Sequence, residues 1–328
     1  MHLPNRSTRV RLAMLTATAV AASLTLGQPT SSADNEQPRD VRPTHVRAQA
    51  VVSKPLAKPP KGLRDLRQLA EADRSMPEPA WSPSDAALAD VAATLGERKP
   101  WQNRVPRKKM PRSVGKLYTY NDGAFGECSA FAVRDRAFPK KRSFVVTAGH
   151  CLVDPKTKDW KDVVEFYPKY YGKKGSPYGG WDAKRLLTYD KWYNKGKWTH
   201  DIGVVRLQHF KGKQIVDRVG GNRLAYGAKP RDKRVRFIGY PAAGRYDGKF
   251  PYQCVGSARR DAKRKWMTVM PCATREGASG GPWFKKMLNR NTGVAYAALS
   301  RGTSSGKRII TAPTFKKSLR RITFKKKW

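Results

Sequence analysis

From Arg112 onward the chain predicts an all-β fold, a barrel or a sandwich, and three observations carry that expectation. Short apolar or alternating runs recur along it, Gly, Pro, Asn and Asp separate them, and helical spacing emerges only at the end. In order the runs are 114–120, 129–133, 144–147, 163–167, 202–207, 235–239, 266–270, 294–299 and 308–311. Each has strand length and carries Val, Ile, Phe or Tyr, residues that suit a pleated, half-buried surface. After Pro313, Phe315, Leu319 and Ile322 fall on one helical face, which predicts a C-terminal helix.

The residues ahead of Arg112 have a different texture. Arg6, Arg9 and Arg11 precede the apolar stretch 12–26, and Ser31-Ser32-Ala33 offers small residues where a signal peptidase cuts, so 1–33 reads as a cleavable secretory signal. That stretch is short and rich in Ala and Thr, and no second run approaches the roughly 20 residues of a bilayer span. No membrane span is expected, and the mature protein is expected to be exported. Residues 34–111 are Pro-rich and mixed in charge, with two helical signals: Leu63, Leu66 and Leu69, and a run opened by Ser82-Pro83-Ser84-Asp85 that carries Leu88, Val91 and Leu95. This segment reads as a propeptide or N-terminal extension, a linker being the plainer alternative. Basic clusters at 104–109 and at Arg112 would suit a processing protease. Residues 112–328 then form the expected folded β domain.

Charge and cysteines narrow the setting. The formal net charge is +42, and 49 basic against 15 acidic residues lie after position 110, so the β part is the basic part. Such a field concentrates anionic partners in low salt without saying which. The four cysteines, Cys128, Cys151, Cys254 and Cys272, suit an oxidising compartment and two disulfides, in any of three pairings. None sits in a close CxxC pair of the kind that holds zinc, and HExxH, P-loop and dinucleotide fingerprints do not occur, so no metal or cofactor is expected.

Three strings carry the chemistry: Thr147-Ala148-Gly149-His150-Cys151, His200-Asp201-Ile202-Gly203 and Gly277-Ala278-Ser279-Gly280-Gly281-Pro282. A serine hydroxyl attacks a carbonyl only when a base takes its proton, and an imidazole does so well when a carboxylate fixes its tautomer. His150, Asp201 and Ser279 fit the base, the carboxylate and the nucleophile. Taken singly, each has a plainer reading: a core histidine, a capping aspartate, a glycine-rich loop. His200 is adjacent to Asp201 in an extended segment and so points to the opposite face, which makes it structural or exposed. The glycine-rich turn lets the amides of Gly277 and Ser279 converge as an oxyanion hole, worth roughly 3 kcal/mol per donor.

The order His, Asp, Ser, with the serine in Gly-x-Ser-Gly-Gly, resembles the chymotrypsin-like (trypsin-like) serine peptidases, particularly their secreted bacterial branch related to glutamyl endopeptidases. The resemblance covers roughly the last two thirds of the chain. It implies two packed six-stranded antiparallel β-barrels with a C-terminal helix, the active site lying between the barrels. It also implies a Cys128 with Cys151 bridge, leaving Cys254 with Cys272, and a secreted, monomeric endopeptidase that works through an acyl-enzyme on protein or peptide substrates.

Departures from the family sharpen the expectation. Where the digestive members have an aspartate before the nucleophile that pairs with the freed amino terminus, this chain has Ala278, so zymogen activation by that ion pair is unavailable. By the resemblance, Ala273 and Thr274 line the primary pocket opposite Ser300-Arg301-Gly302. Ala273 supplies no carboxylate for a Lys or Arg substrate, and Leu299 stands where glutamyl endopeptidases have a histidine, which leaves a small or apolar side chain as the expected specificity. The competing function is a catalytically silent, highly basic protein that binds a polyanion or a cell surface on the same scaffold. The string 259–266 and the tail 315–328, where Lys and Arg interleave with aromatics, motivate it.

Overall fold

A computed structural model describes residues 50–56, 102–135, 143–302 and 309–323. The segment 1–33 read as a secretory leader, both helical signals of the extension and the last five residues of the basic tail lie outside the described residues. Two short strands come first, β1 (Ala50–Val52) and β2 (Gln102–Arg104).

The first barrel uses β3 (Val114–Asn121), β4 (Ala124–Ala132), β5 (Ser143–Thr147), β6 (Val163–Pro168), β7 (Trp181–Tyr189) and β8 (Gly203–Leu207). Antiparallel pairing runs β3, β4, β5, β8, β7, β6 and back to β3, which closes the ring. Strand β1 joins the far end of β7 with Ala50 opposite Tyr189. The alternation that predicted five of the six barrel strands, all but β7, is used on both faces. In β5, Phe144 and Val146 enter one core while Val145 enters another.

The second barrel uses β10 (Asp232–Gly239), β11 (Tyr252–Arg260), β12 (Met267–Pro271), β13 (Pro282–Met287), β14 (Gly293–Ala298) and β16 (Ile309–Pro313). Short β9 (Arg223–Leu224) and β15 (Arg301–Gly302) lie at its margins. Pairing runs β16, β12, β11, β10, β13, β14, and a bridge between Ala297 and Thr314 brings β14 back to the end of β16. Phe315 N–H donating to Tyr296 O at 2.8 Å extends that closure. Between the barrels a shared core holds Tyr118, Phe131 and Val146 from one side and Ile238, Tyr240 and Phe284 from the other.

Three short helices complete the body: α1 (Asp190–Tyr193), α2 (Ile215–Val219) and α3 (Lys317–Thr323). The last is the expected C-terminal helix, and Phe315 and Leu319 seat it in the shared core with no exposure. The bridges Cys128–Cys151 and Cys254–Cys272 are both formed, one in each barrel.

Part of the segment read as an extension is built into this body. Strand β2 pairs with β11, with Cys254 opposite Gln102, and Val105 and Met110 are fully buried in the shared core.

Candidate active site

His150 stands in the turn after β5, and the Cys128–Cys151 bridge ties that turn to β4. Gly149 is there for space. A Cβ on it would lie 2.7 Å from the Trp192 ring and 3.0 Å from an Asp201 carboxylate oxygen. With that space kept, Asp201 reaches the histidine twice: Oδ1 accepts from the His150 backbone N–H at 2.8 Å, and Oδ2 lies 2.8 Å from Nδ1. Ser300 Oγ donates to the same Oδ2 at 2.5 Å. Asp201 is wholly buried, so these donors must replace the water it loses. An ionised Asp201 accepts at Nδ1, which leaves Nε2 as the free acceptor of the imidazole.

Ser279 lies in the turn between β12 and β13 and is 3% exposed. Gly277 and Gly280 flank it at φ +82° and +80°, a region open mainly to glycine. Each position is also crowded: a Cβ at Gly277 would meet Tyr240 O at 2.6 Å, and one at Gly280 would meet Thr147 Oγ1 at 2.1 Å. The close approach to Thr147 sets the serine turn against the segment that leads into His150.

Ser129, on β4, fastens that arrangement. Its N–H donates to Ser279 O (2.7 Å), its Oγ donates to Gly277 O (3.0 Å) and accepts from Tyr240 N–H (2.8 Å), and its carbonyl accepts from Thr147 Oγ1 (2.8 Å). In the turn itself the amides of Ala278, Gly280 and Gly281 donate to the carbonyls of Arg275, Leu299 and Ala278. Among the described residues the amides of Gly277 and Ser279 donate to none. Two unengaged amides on either side of Ala278, beside a serine, are what a developing oxyanion needs.

Around the histidine stand Trp192 and Trp198, with ring centroids 6.3 and 6.5 Å from it, and the Arg301 guanidinium lies 4.6 Å from the Trp198 ring. Of the residues read as pocket lining, Ser300 turns its hydroxyl to Asp201, and Thr274 keeps a buried hydroxyl with no partner among the described residues. The Ala273 carbonyl receives the Tyr246 hydroxyl at 2.9 Å, and the same hydroxyl also contacts Gln102 Oε1. Leu299 is fully buried and its backbone bonds Gly280 and Gly281, while Gly302 is the second residue of the edge strand β15. Cys128, His150 and Cys151 bring donor atoms close together, but both sulfurs are spent in a disulfide and offer no thiolate to a metal.

Residues 128–294, just over half of the chain, match the family described as trypsin-like peptidase domain. The chain belongs to that family. Among solved structures, the trypsin-like chain is similar to a thermostable serine protease, AL20, from an extremophilic microorganism, at 28% identity and a TM-score of 0.59 over 67% of this chain and 97% of that one. It is similar to the protease Anisep from Arthrobacter nicotinovorans, at 27% identity and a TM-score of 0.59 over 67% and 96%. A Glu endopeptidase in complex with MPD shares the fold at 16% identity and a TM-score of 0.54 over 70% and 96%. No curated protein sequence matches the chain. The trypsin-like assignment is one the three strings made legible. Ser129 and Tyr246 carried no sequence signal of a role here, because each reaches the site from a segment distant in the chain.

Proposed function

We propose that the protein is a secreted serine endopeptidase that hydrolyses peptide bonds through His150, Asp201 and Ser279. Membership of the trypsin-like family gives a peptidase fold, and the geometry of the site supports the following roles. Ser279 Oγ attacks the scissile carbonyl carbon while His150 Nε2 takes its proton. The carbonyl oxygen becomes an oxyanion, held by the N–H groups of Gly277 and Ser279. The carbon–nitrogen bond then breaks, and the imidazolium returns its proton to the departing amine. Water repeats the cycle on the acyl-enzyme, with His150 again as base, and frees the acid and the serine. Asp201 stays ionised throughout and stabilises the imidazolium.

The observation that carries this reading is the pairing of a doubly anchored His150 with the two unengaged amides beside Ser279. Ala273 brings no charge to the primary pocket, and Leu299 brings none to its wall, so the preferred substrate side chain is small or apolar. Two disulfides and family kinship with proteases support an exported enzyme, and among the described residues no helix is long and apolar enough to cross a membrane. Cleavage profiling on a peptide library tests both parts. The processed protein is expected to cut after small or apolar residues, and Ser279→Ala to lose on the order of 10⁴-fold or more in kcat. A strong preference for Lys or Arg would overturn the pocket, and full activity in Ser279→Ala would overturn the nucleophile.

A further inference from the structure

Next to Asp201 the chain gathers positive charge, and among the described residues no carboxylate pairs with it. The turn that ends at His200 is tied back to α1, since Lys197 N–H donates to Lys191 O (3.1 Å) and His200 N–H to Lys197 O (2.8 Å). From the start of the C-terminal helix region, Lys316 brings Nζ to 2.8 Å from His200 Nε2 and 3.3 Å from Nδ1. Thr199 Oγ1 lies 3.0 Å from Nδ1, and the Tyr189 ring stands edge-on to the imidazole at 5.3 Å. Burial first, and then the charges of Lys316, Lys191 and Lys197, hold the His200 pKa down at about 3. Burial and Lys191 likewise bring Lys316 down to about 7.

The nearby carboxylates are committed elsewhere. Asp201 serves His150 and Ser300, and Asp190 accepts from Asn194 Nδ2 at 2.6 Å. Among the described residues no carboxylate pairs with His200, Lys191, Lys197 or Lys316. A solvated surface lysine needs no partner. Lys316 differs, being half-buried with an imidazole as its contact. Lys191 and Lys197 are exposed, so the cluster is open to solvent.

We infer that Lys191, Lys197 and Lys316 form a binding site for a tetrahedral oxyanion, a sulfate or a phosphate, free or carried on a polymer. Such an ion has acceptors in several directions for ammonium groups that arrive from three separate segments, and its double charge offsets their mutual repulsion better than chloride does. Bound there, it restores the charged form of Lys316 and braces the residue that precedes Asp201. The inference concerns binding and does not depend on the peptidase chemistry.

Thermal unfolding of the full chain at pH 7 tests it, with sodium sulfate, sodium phosphate or long-chain polyphosphate added and ionic strength matched by sodium chloride. At about ten times the half-saturating concentration the midpoint is expected to rise by roughly 3 °C over the chloride control. The rise is expected to vanish in Lys316→Met, to shrink in Lys191→Met and to persist in Lys316→Arg. A larger gain from polyphosphate at equal phosphate content identifies a polymer-borne ligand, and an equal gain identifies the free ion. No gain over chloride from any of the three, or a full gain in both Met variants, overturns the inference. Should Lys316→Met fail to fold, a double Lys191→Met, Lys197→Met variant on exposed positions reads the same loss.

Discussion

Asp201 is held by three donors, an anchorage that suits the proposed role of His150 as a directed base. Asp201→Asn is therefore expected to favour the wrong imidazole tautomer and to lower kcat by about 10³ to 10⁴ with little change in KM. Ser300→Ala removes one donor to a buried carboxylate and should cost roughly tenfold, by steady-state kinetics on the same substrate. An Asp201→Asn variant that kept most of its kcat would contradict the assigned role. The neighbouring residue governs stability in acid. His200 is held at about 3 when folded, against the ordinary 6.5, so between those values the unfolded chain binds a proton that the folded chain does not. Stability from this group is complete above pH 6.5 and falls as pH drops toward 3. His200→Gln is expected to flatten that fall, as melting temperatures between pH 4 and 7 would show; parallel slopes for the two proteins would refute it.

At the scale of elements, the short N-terminal strand β2 matters more than its length suggests. It pairs with β11, Gln102 reaches Tyr246 beneath the pocket, and the residues that follow bury Val105 and Met110 completely. Burial of two such side chains is worth about 3 to 6 kcal/mol together. A chain that starts at Ser113 should lose much of that stability, and sequencing the amino terminus of mature material is expected to place the cut ahead of Gln102. A mature terminus within the basic clusters at 104–112, with an unchanged melting temperature, would contradict this. The sequence showed these elements unevenly, for a physical reason. All nine apolar runs overlap strands, since each puts Val, Ile, Phe or Tyr into a core. Strands β7, β11 and β13 escaped because Lys184-Arg185, Arg259-Arg260 and Lys285-Lys286 interrupt their alternation where they face outward, so the basic surface itself masks the period. The proposed triad was readable as a candidate because each member lies in a contiguous string. Its supports were not, because Ser129 and Ser300 act through folding at separations of 148 and 99 residues from their partners.

At the scale of the whole molecule, two barrels share one core, a disulfide fastens each, and the three strings that hold His150, Asp201 and Ser279 come from both. His150 and Asp201 belong to the first barrel and Ser279 to the second, with Ser129 bonded to the Thr147 hydroxyl on one side of the division and to the backbone of Tyr240, Gly277 and Ser279 on the other. The net +34 after position 110 is spread over this scaffold, where it can steer anionic partners at low ionic strength without altering the order of the triad. The central claim is that these parts make Ser279 a nucleophile. The direct measurement is covalent labelling of the processed protein with a fluorophosphonate, followed by peptide mapping. One adduct per chain on Ser279, absent in Ser279→Ala and slowed in Asp201→Asn, is the result expected. A folded protein that takes up no label, or takes it up equally in Ser279→Ala, would contradict the account.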